Sequence, residues 1–257
     1  MKWVVFNQKG GVGKSTICTN LAAVGAMQGK KTLLIDLDAQ GNSTFYANCE
    51  LDEKALTVAD MFKQVSGWFS DQKKSTDYIH ASCIESLHVM PSSVSLSSIE
   101  RDLETRYKMF KLRDTLKTLE EEYDDIWIDT PPNFNFYTKA ALIAADAFIV
   151  PVDCDDFSVQ AVTRLLDNVM EIKSDHNPNL AFVGVVVNQF TSQANYPKAL
   201  IASLKEKGLP LFENYINSAI KVKESHAEQR PIVLGYPKHK VSVQLKALHQ
   251  EIMACVE

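Results

Sequence analysis

None of the five cysteines of this chain stands in a C-x-x-C spacing, and five is an odd number. Cys18, Cys49, Cys83, Cys154 and Cys255 are scattered along 257 residues. That distribution excludes a disulfide framework and argues for reduced thiols in a cytoplasmic protein. Also missing is any run of about 18 consecutive apolar residues, the length a membrane-spanning helix needs. Met1 leads directly into an apolar stretch with no basic segment before it, so neither a signal peptide nor a membrane span is expected. No internal repeat is visible, and the serine-rich stretch 92–98 is too short and too interleaved with Val94 and Leu96 to be a linker. Positive charge is not in excess either, because the formal net charge is −5. A chain of that sign has no global attraction for a polyanion.

What is present is the composition of an ordinary globular protein, 46% hydrophobic and 23% charged, and the length predicts one domain spanning 1–257. The net charge hides an asymmetry. Between Lys198 and Lys246 there are nine Lys and Arg against four Asp and Glu, which leaves the rest of the chain at −10. Any basic surface is therefore C-terminal.

The most informative stretch is Phe6-Asn7-Gln8-Lys9-Gly10-Gly11-Val12-Gly13-Lys14-Ser15-Thr16. The apolar run from Trp3 to Phe6 reads as a buried strand and Thr16 to Met27 as a helix, which puts the glycines on the turn between them. Glycine backbone reaches positive φ and lets N–H groups converge on an anion, and a helix opening at Gly13 or Lys14 adds its unpaired N–H groups and dipole. Lys14 is placed for the β- and γ-phosphates of a nucleotide and the Ser15 hydroxyl for Mg²⁺. The usual G-x-x-x-x-G-K-[ST] pattern has glycine where this chain has Gln8, and Lys9 is an additional cation at the loop tip.

K-G-G-V-G-K-S-T closely resembles the deviant Walker A motif of the ParA/MinD superfamily of dimeric ATPases. The resemblance implies that Lys9 reaches across a dimer interface to the nucleotide of the other subunit, and that residues 9–16 (Lys9, Gly10, Gly11, Val12, Gly13, Lys14, Ser15, Thr16) bind ATP. Asp36-Leu37-Asp38-Ala39-Gln40-Gly41-Asn42 follows a second buried strand, Lys31 to Asp36, and is similar to the family's D-x-D-x-Q-G-N segment. By that likeness Asp38 is the catalytic carboxylate that orients or activates the attacking water, and it belongs with Ser15 and Asp129 to the metal site. Asp124 to Pro132 is an apolar strand ending in Asp129-Thr130-Pro131-Pro132 and resembles the family's Walker B segment, in which Asp129 holds Mg²⁺ through its water shell. Ala140 to Val152 matches a family helix-turn-strand almost residue for residue.

Further along, Thr57 to Phe62 reads as an N-capped turn of helix broken at Ser66-Gly67, Leu87 to Pro91 as a short strand, and Ser97 to Glu122 as a helix pair on the outside of a sheet. Phe157 to Ile172 is an amphipathic helix, and Ala181 to Asn188 another central strand, buried on both faces. Asn188 is placed either to read an adenine edge or to cap its strand. Alternating strands and helices of this kind specify an α/β fold, a doubly wound and mostly parallel sheet with helices on both faces. That topology gathers residues 9–16, 38 and 129 at strand C-terminal ends.

The likeness weakens in the last third. The family's I-P-R-N-like phrase is replaced by Ile216-Asn217-Ser218-Ala219, so the adenine contact expected near Asn217 departs from the pattern, and Gln193 stands where the family often has arginine. Lys221, Lys223, Arg230, Lys238 and Lys240 are the candidates for nonspecific DNA binding, whereas Lys205 and Lys207 fit ordinary solvated helix charges equally well. The resemblance implies an ATP-driven homodimer that positions a plasmid, a chromosome region or a protein cluster. It binds the nucleoid when loaded with ATP, and a ParB-like or adaptor protein stimulates its slow hydrolysis. Two other readings stay open. A MinD-like membrane switch would need a basic amphipathic helix beyond the last core helix, whereas the stripe in Val241 to Val256 reads as core. An iron-protein-like carrier would need paired cysteines at a dimer axis.

Overall fold

A computed structural model describes residues 1–49, 51–65, 72–154, 159–191 and 195–255. The Ser66-Gly67 break, Gln193 and the predicted helix start at Phe157 lie outside them. Among the described residues the strands are β1 (Lys2–Val5), β2 (Thr32–Asp36), β3 (His80–Ala81), β4 (Leu87–Met90), β5 (Asp125–Asp129), β6 (Ala147–Val152) and β7 (Ala181–Val187). They form one sheet in the order β3-β4-β2-β5-β1-β6-β7, parallel throughout except for the edge pair β3–β4. Contrary to the expectation of a central strand, β7 is the last strand of the sheet, and only its second half, residues 184–187, is buried, because the first half has a neighbour on one side only. The helices are α1 (Lys14–Met27), α2 (Asn42–Tyr46), α3 (Val58–Lys63), α4 (Leu96–Thr105), α5 (Lys111–Lys117), α6 (Phe136–Ala144), α7 (Val159–Asp175), α8 (Asn195–Glu206), α9 (Ile220–Ala227), α10 (Ile232–Gly235) and α11 (Lys240–Ala254).

The period-2 alternation of the central strands explains why both faces are covered. On β1, Trp3 and Val5 enter one core while Val4 and Phe6 enter the other; Leu34 is likewise separated from Leu33 and Ile35 on β2. The core containing Trp3 and Val5 is closed by α1, α10 and α11. There the parallel register sets Trp3 opposite Trp127, and their rings stack at 5.4 Å. The opposite core is closed by α3 to α8. The predicted cap of α3 forms, with Thr57 N and Oγ1 both donating to the Asp60 carboxylate at 2.9 and 2.8 Å. In α11 Leu245, Leu248 and Ile252 of the apolar stripe are buried as core together with Val241, whereas Val243, which the stripe also included, is 55% exposed and Met253 only partly buried.

This topology fixes where a site can lie. From β1 the chain crosses over one face through α1 to β2, and from neighbouring β5 it crosses the other face through α6 to β6. Adjacent strands whose connections depart in opposite directions leave a crevice at their C-terminal ends. The loops that open there are residues 6–13 and 130–135.

Candidate active site

The loop after β1 is held from below by side chains distant in sequence. Asn7, buried, donates to the Pro151 carbonyl at 2.6 Å and accepts the Lys9 N–H at 2.9 Å. Asn188 donates its amide to the Val12 carbonyl at 2.9 Å, and Gln189 donates to the Gly11 carbonyl at 2.8 Å. Gly11 and Gly13 have φ of 79° and 91°, in the left-handed region that favours glycine. At Gly13 a Cβ would lie 2.1 Å from Asn188 Nδ2, so the close approach requires glycine twice over. The structure thus directs the Asn188 amide at the loop backbone. Asn217 is similarly engaged, donating to the Phe190 carbonyl at 3.1 Å and accepting from Gln244.

The two lysines of the loop take different positions. Lys14, buried at the start of α1, donates to the Lys9 carbonyl at 2.9 Å. Burial pushes its pKa down, while Asp129 and Asp38 act in the opposite sense. Lys9 forms an ion pair with the buried carboxylate of Asp153 at 2.9 Å. Asp153, at the end of β6, was not anticipated from the sequence.

Three carboxylates converge on the same crevice from β2 and β5. Asp36 is fully buried and serves the loop rather than the cavity: it accepts from Asp38 N at 3.1 Å, Thr44 N at 2.8 Å and Thr44 Oγ1 at 2.9 Å. Asp38 carries the turn, with its Oδ1 accepting Gln40 N at 3.0 Å and its carbonyl accepting Gly41 N at 2.9 Å and the Ser92 hydroxyl. Asp129 Oδ2 accepts from Ser43 at 2.7 Å, but Oδ1, although buried, has no hydrogen-bond partner. Burial raises the pKa of Asp36 and of Asp129. The neighbouring Asp129 charge adds to the rise at Asp36, and the Ser15 and Ser43 hydroxyls and Lys14 oppose it at Asp129. A buried carboxylate oxygen left unpartnered among like charges suits a hard cation. Among the described residues no group of three or more His, Cys, Asp and Glu side chains is arranged to hold a metal by itself.

Two adjoining cavities result. One, of about 320 Å³, is lined by Gly10, Lys14, Ser15, Asp38, Gln40 and Pro132, and holds the charged groups Lys14 and Asp38. The other, of about 290 Å³, has a mixed lining, in which the aliphatic side chains of Ile17, Ile216, Val222 and Leu245 stand beside Asn188, Gln189, Asn217 and Lys223. An anion cradle adjoining a slot that offers both aliphatic and amide groups fits a phosphorylated planar ligand. The five basic candidates are not gathered in the same way. Lys223, exposed, lines the second cavity. Lys221, on the same helix, pairs with Glu224 and lies over the Tyr236 ring at 4.6 Å. Arg230, Lys238 and Lys240 are exposed at the end of α9 and the start of α11.

Comparison with known proteins agrees with this geometry. The family described as an AAA domain matches residues 2–182. The chromosome partitioning protein ParA of Myxococcus xanthus is 30% identical over 251 residues, covering 97% of this chain and 86% of that protein. The sporulation initiation inhibitor protein Soj of Bacillus subtilis is 30% identical over 252 residues, covering 97% of each. Among solved structures, the ATP complex of Cyanothece McdA superposes with a TM-score of 0.84 at 25% identity, over 98% of this chain and 96% of that one. A phosphate-type cradle after β1, carboxylates after β2 and β5, and kinship along almost the entire length place the chain in the ParA-type AAA-domain family of the ParA/MinD superfamily.

Proposed function

We propose that this chain is an ATPase that dimerises on binding ATP with Mg²⁺ and positions or segregates a cargo by nucleotide-switched, nonspecific binding to DNA, its hydrolysis stimulated by a partner protein. The observation that carries the reading is the convergence of Lys14, Ser15 and Asp38 on one cavity, with Asp129 fully buried behind it, near enough for its charge to act on Lys14, and its Oδ1 unpartnered. In this reading the N–H groups of residues 10–16 and the Lys14 ammonium bind the phosphates. Ser15 and Asp129 hold Mg²⁺, which supplies charge neutralisation to the phosphate oxygens. Asp38 orients the attacking water, and Lys9 leaves Asp153 to meet the phosphates of the partner subunit. The residues present fit both groups.

The second cavity would take the base, with Asn188 and Asn217 at its wall. The exposed cations Arg230, Lys238 and Lys240, with Lys221 and Lys223 on α9, would meet DNA phosphates. Two subunits held together double the number of phosphates met, so dimerisation itself becomes the DNA switch. The single domain spanning 1–257, the cytoplasmic location and the nucleoid association of the ATP-bound form belong to the same reading. Among the described residues no helix is long and apolar enough to cross a membrane.

The test is a salt titration of duplex-DNA binding by ATP-loaded Asp38→Ala protein, with and without Arg230→Glu, Lys238→Glu and Lys240→Glu. Lys223 is left intact because it lines a cavity of the site. The log-log slope becomes shallower by about 0.9 for each phosphate that is no longer neutralised. An unchanged slope would move the DNA surface elsewhere, and no DNA binding by the ATP-loaded protein would make another surface the matrix.

A further inference from the structure

The two cavities share four bordering residues, Gly11, Gly13, Thr16 and His226. The first three belong to the glycine loop and the opening of α1, but His226 comes from α9, 210 positions after Thr16. Its ring is held in one orientation. It stacks on Tyr46 with 3.7 Å between centroids and 12° between planes. The Tyr46 hydroxyl is in turn fixed by Ser225 Oγ at 2.8 Å, Ile232 N at 2.9 Å and Asn20 Nδ2 at 3.2 Å. The free edge of the imidazole places Nε2 2.9 Å from Thr16 Oγ1, on the ridge between the cavities. Burial lowers the His226 pKa and favours the neutral ring, which carries one N–H and one acceptor nitrogen.

We propose that His226 is a positioning residue for binding a 5′-nucleotide: it donates from Nε2 to Thr16 Oγ1 and thereby turns the threonine proton toward the ligand where the phosphate chain joins the nucleoside. The inference rests on the reading of the crevice as a nucleotide site. A hydroxyl whose lone pair is taken by an imidazole N–H has its own proton free for a phosphate or ribose oxygen. Thr16 and His226 also border the cavity that holds the phosphates, so the distinction lies in the direction of that proton: turned to the 5′ or ribose oxygen, it contributes little to a ligand that has no nucleoside. His226 therefore helps the site distinguish a nucleotide from a bare polyphosphate.

The experiment is calorimetric titration of the ligand-free protein with MgATP, MgADP and magnesium tripolyphosphate, for wild type, His226→Phe and His226→Gln. Phenylalanine keeps the stack on Tyr46 and removes the nitrogen; glutamine retains an N–H donor. His226→Phe should weaken both nucleotides about tenfold, the value of one buried hydrogen bond, with a change of less than about twofold for tripolyphosphate. His226→Gln should fall between. Wild-type nucleotide affinity in His226→Phe overturns the proposal, as does an equal loss for tripolyphosphate. If the phenylalanine variant does not fold, His226→Ala, checked by its melting curve, takes its place. Failure of folded wild-type protein to bind either nucleotide would overturn the nucleotide reading itself, and that is seen in the wild-type arm alone.

Discussion

Lys9 and Lys14 are five residues apart and do different work. Lys14 is buried, lies against the backbone of the glycine loop and has two carboxylates near it. Its removal leaves Asp38 in the cavity and the buried Asp129 behind it without that positive charge. Lys14→Gln should therefore weaken ATP binding by about 3 kcal/mol, the scale of a charge-assisted hydrogen bond, which is more than a hundredfold in Kd. Lys9 is half-exposed and its ammonium is on Asp153. Lys9→Ala should bind ATP within about threefold of wild type yet hydrolyse it at least tenfold more slowly and fail to dimerise. Equilibrium binding, turnover and sedimentation of the two variants separate these roles, and unchanged turnover in Lys9→Ala would remove the lysine from the reaction. At this scale the sequence was only partly legible. The lysines, Ser15, Asp38 and Asp129 stand in local patterns. Asp153 and His226 do not, because each is defined by a partner 144 or 210 positions away. The Asp36 carboxylate adjoins Asp38 in sequence, but its acceptance of the Thr44 N–H shows only in the folded turn.

The elements that matter most are the loop-helix unit 6–27 and the strand β7 beneath it. Strand, glycine turn and helix were readable because an apolar run, glycines and a helical stretch follow one another directly. Lys31 to Asp36, Asp124 to Asp129 and Ala140 to Val152 were readable for similar reasons. The order of the strands was not, since nothing local reveals that β1 lies between β5 and β6, and the two-residue β3 is too short to leave a pattern. The positive excess of 198–246 was visible as composition, but side-chain direction divides it. Lys221 faces Glu224 and Tyr236 while Lys223 borders a cavity. The close approach of Gly13 and Asn188 yields a prediction for the unit. Gly13→Ala imposes a positive φ on alanine and an overlap with Asn188 Nδ2. It should cost about 2 kcal/mol or more, read as a fall of at least about 4 °C in melting temperature, along with nucleotide binding. Adding Asn188→Ala to Gly13→Ala should recover part of the stability. If the double variant melts no higher than the single one, the overlap is not the cause.

For the molecule as a whole, acid sensitivity has an identifiable source on the side of the sheet closed by α11. His249 is buried against Gly25 and Trp127 with neither ring nitrogen hydrogen-bonded. Burial lowers its pKa to about 4; Lys30 acts in the same sense and Asp125 in the opposite one. The unfolded chain takes up this proton near the ordinary value of 6.5, the folded protein only near 4. His249 therefore leaves stability intact above pH 6.5 and lowers it progressively as pH falls toward 4, by up to about 3 kcal/mol. Asp36 and Asp129, whose folded pKa values are raised, bind protons earlier when folded and work in the opposite direction. The comparison is thus between denaturation curves of wild type and His249→Gln from pH 7 to 4. The variant should lose stability less steeply across that window, and parallel curves would acquit the histidine.

The ion pair between Lys9 and Asp153 bears on timing. A side chain that has to leave one carboxylate before it can serve a second subunit introduces a unimolecular event ahead of a bimolecular one, and the rate of the former does not depend on how much protein is present. Association triggered by ATP should therefore accelerate with concentration at first and then reach a plateau set by release of Lys9. Asp153→Asn, which weakens the hold without removing the side chain, should raise that plateau severalfold in stopped-flow light scattering. A rate that keeps climbing linearly in wild type would mean that Lys9 is already free when subunits meet. With the plateau present, the ion pair acts as a waiting time built into each monomer, and a crowded region of the cell would gain no speed from its crowding.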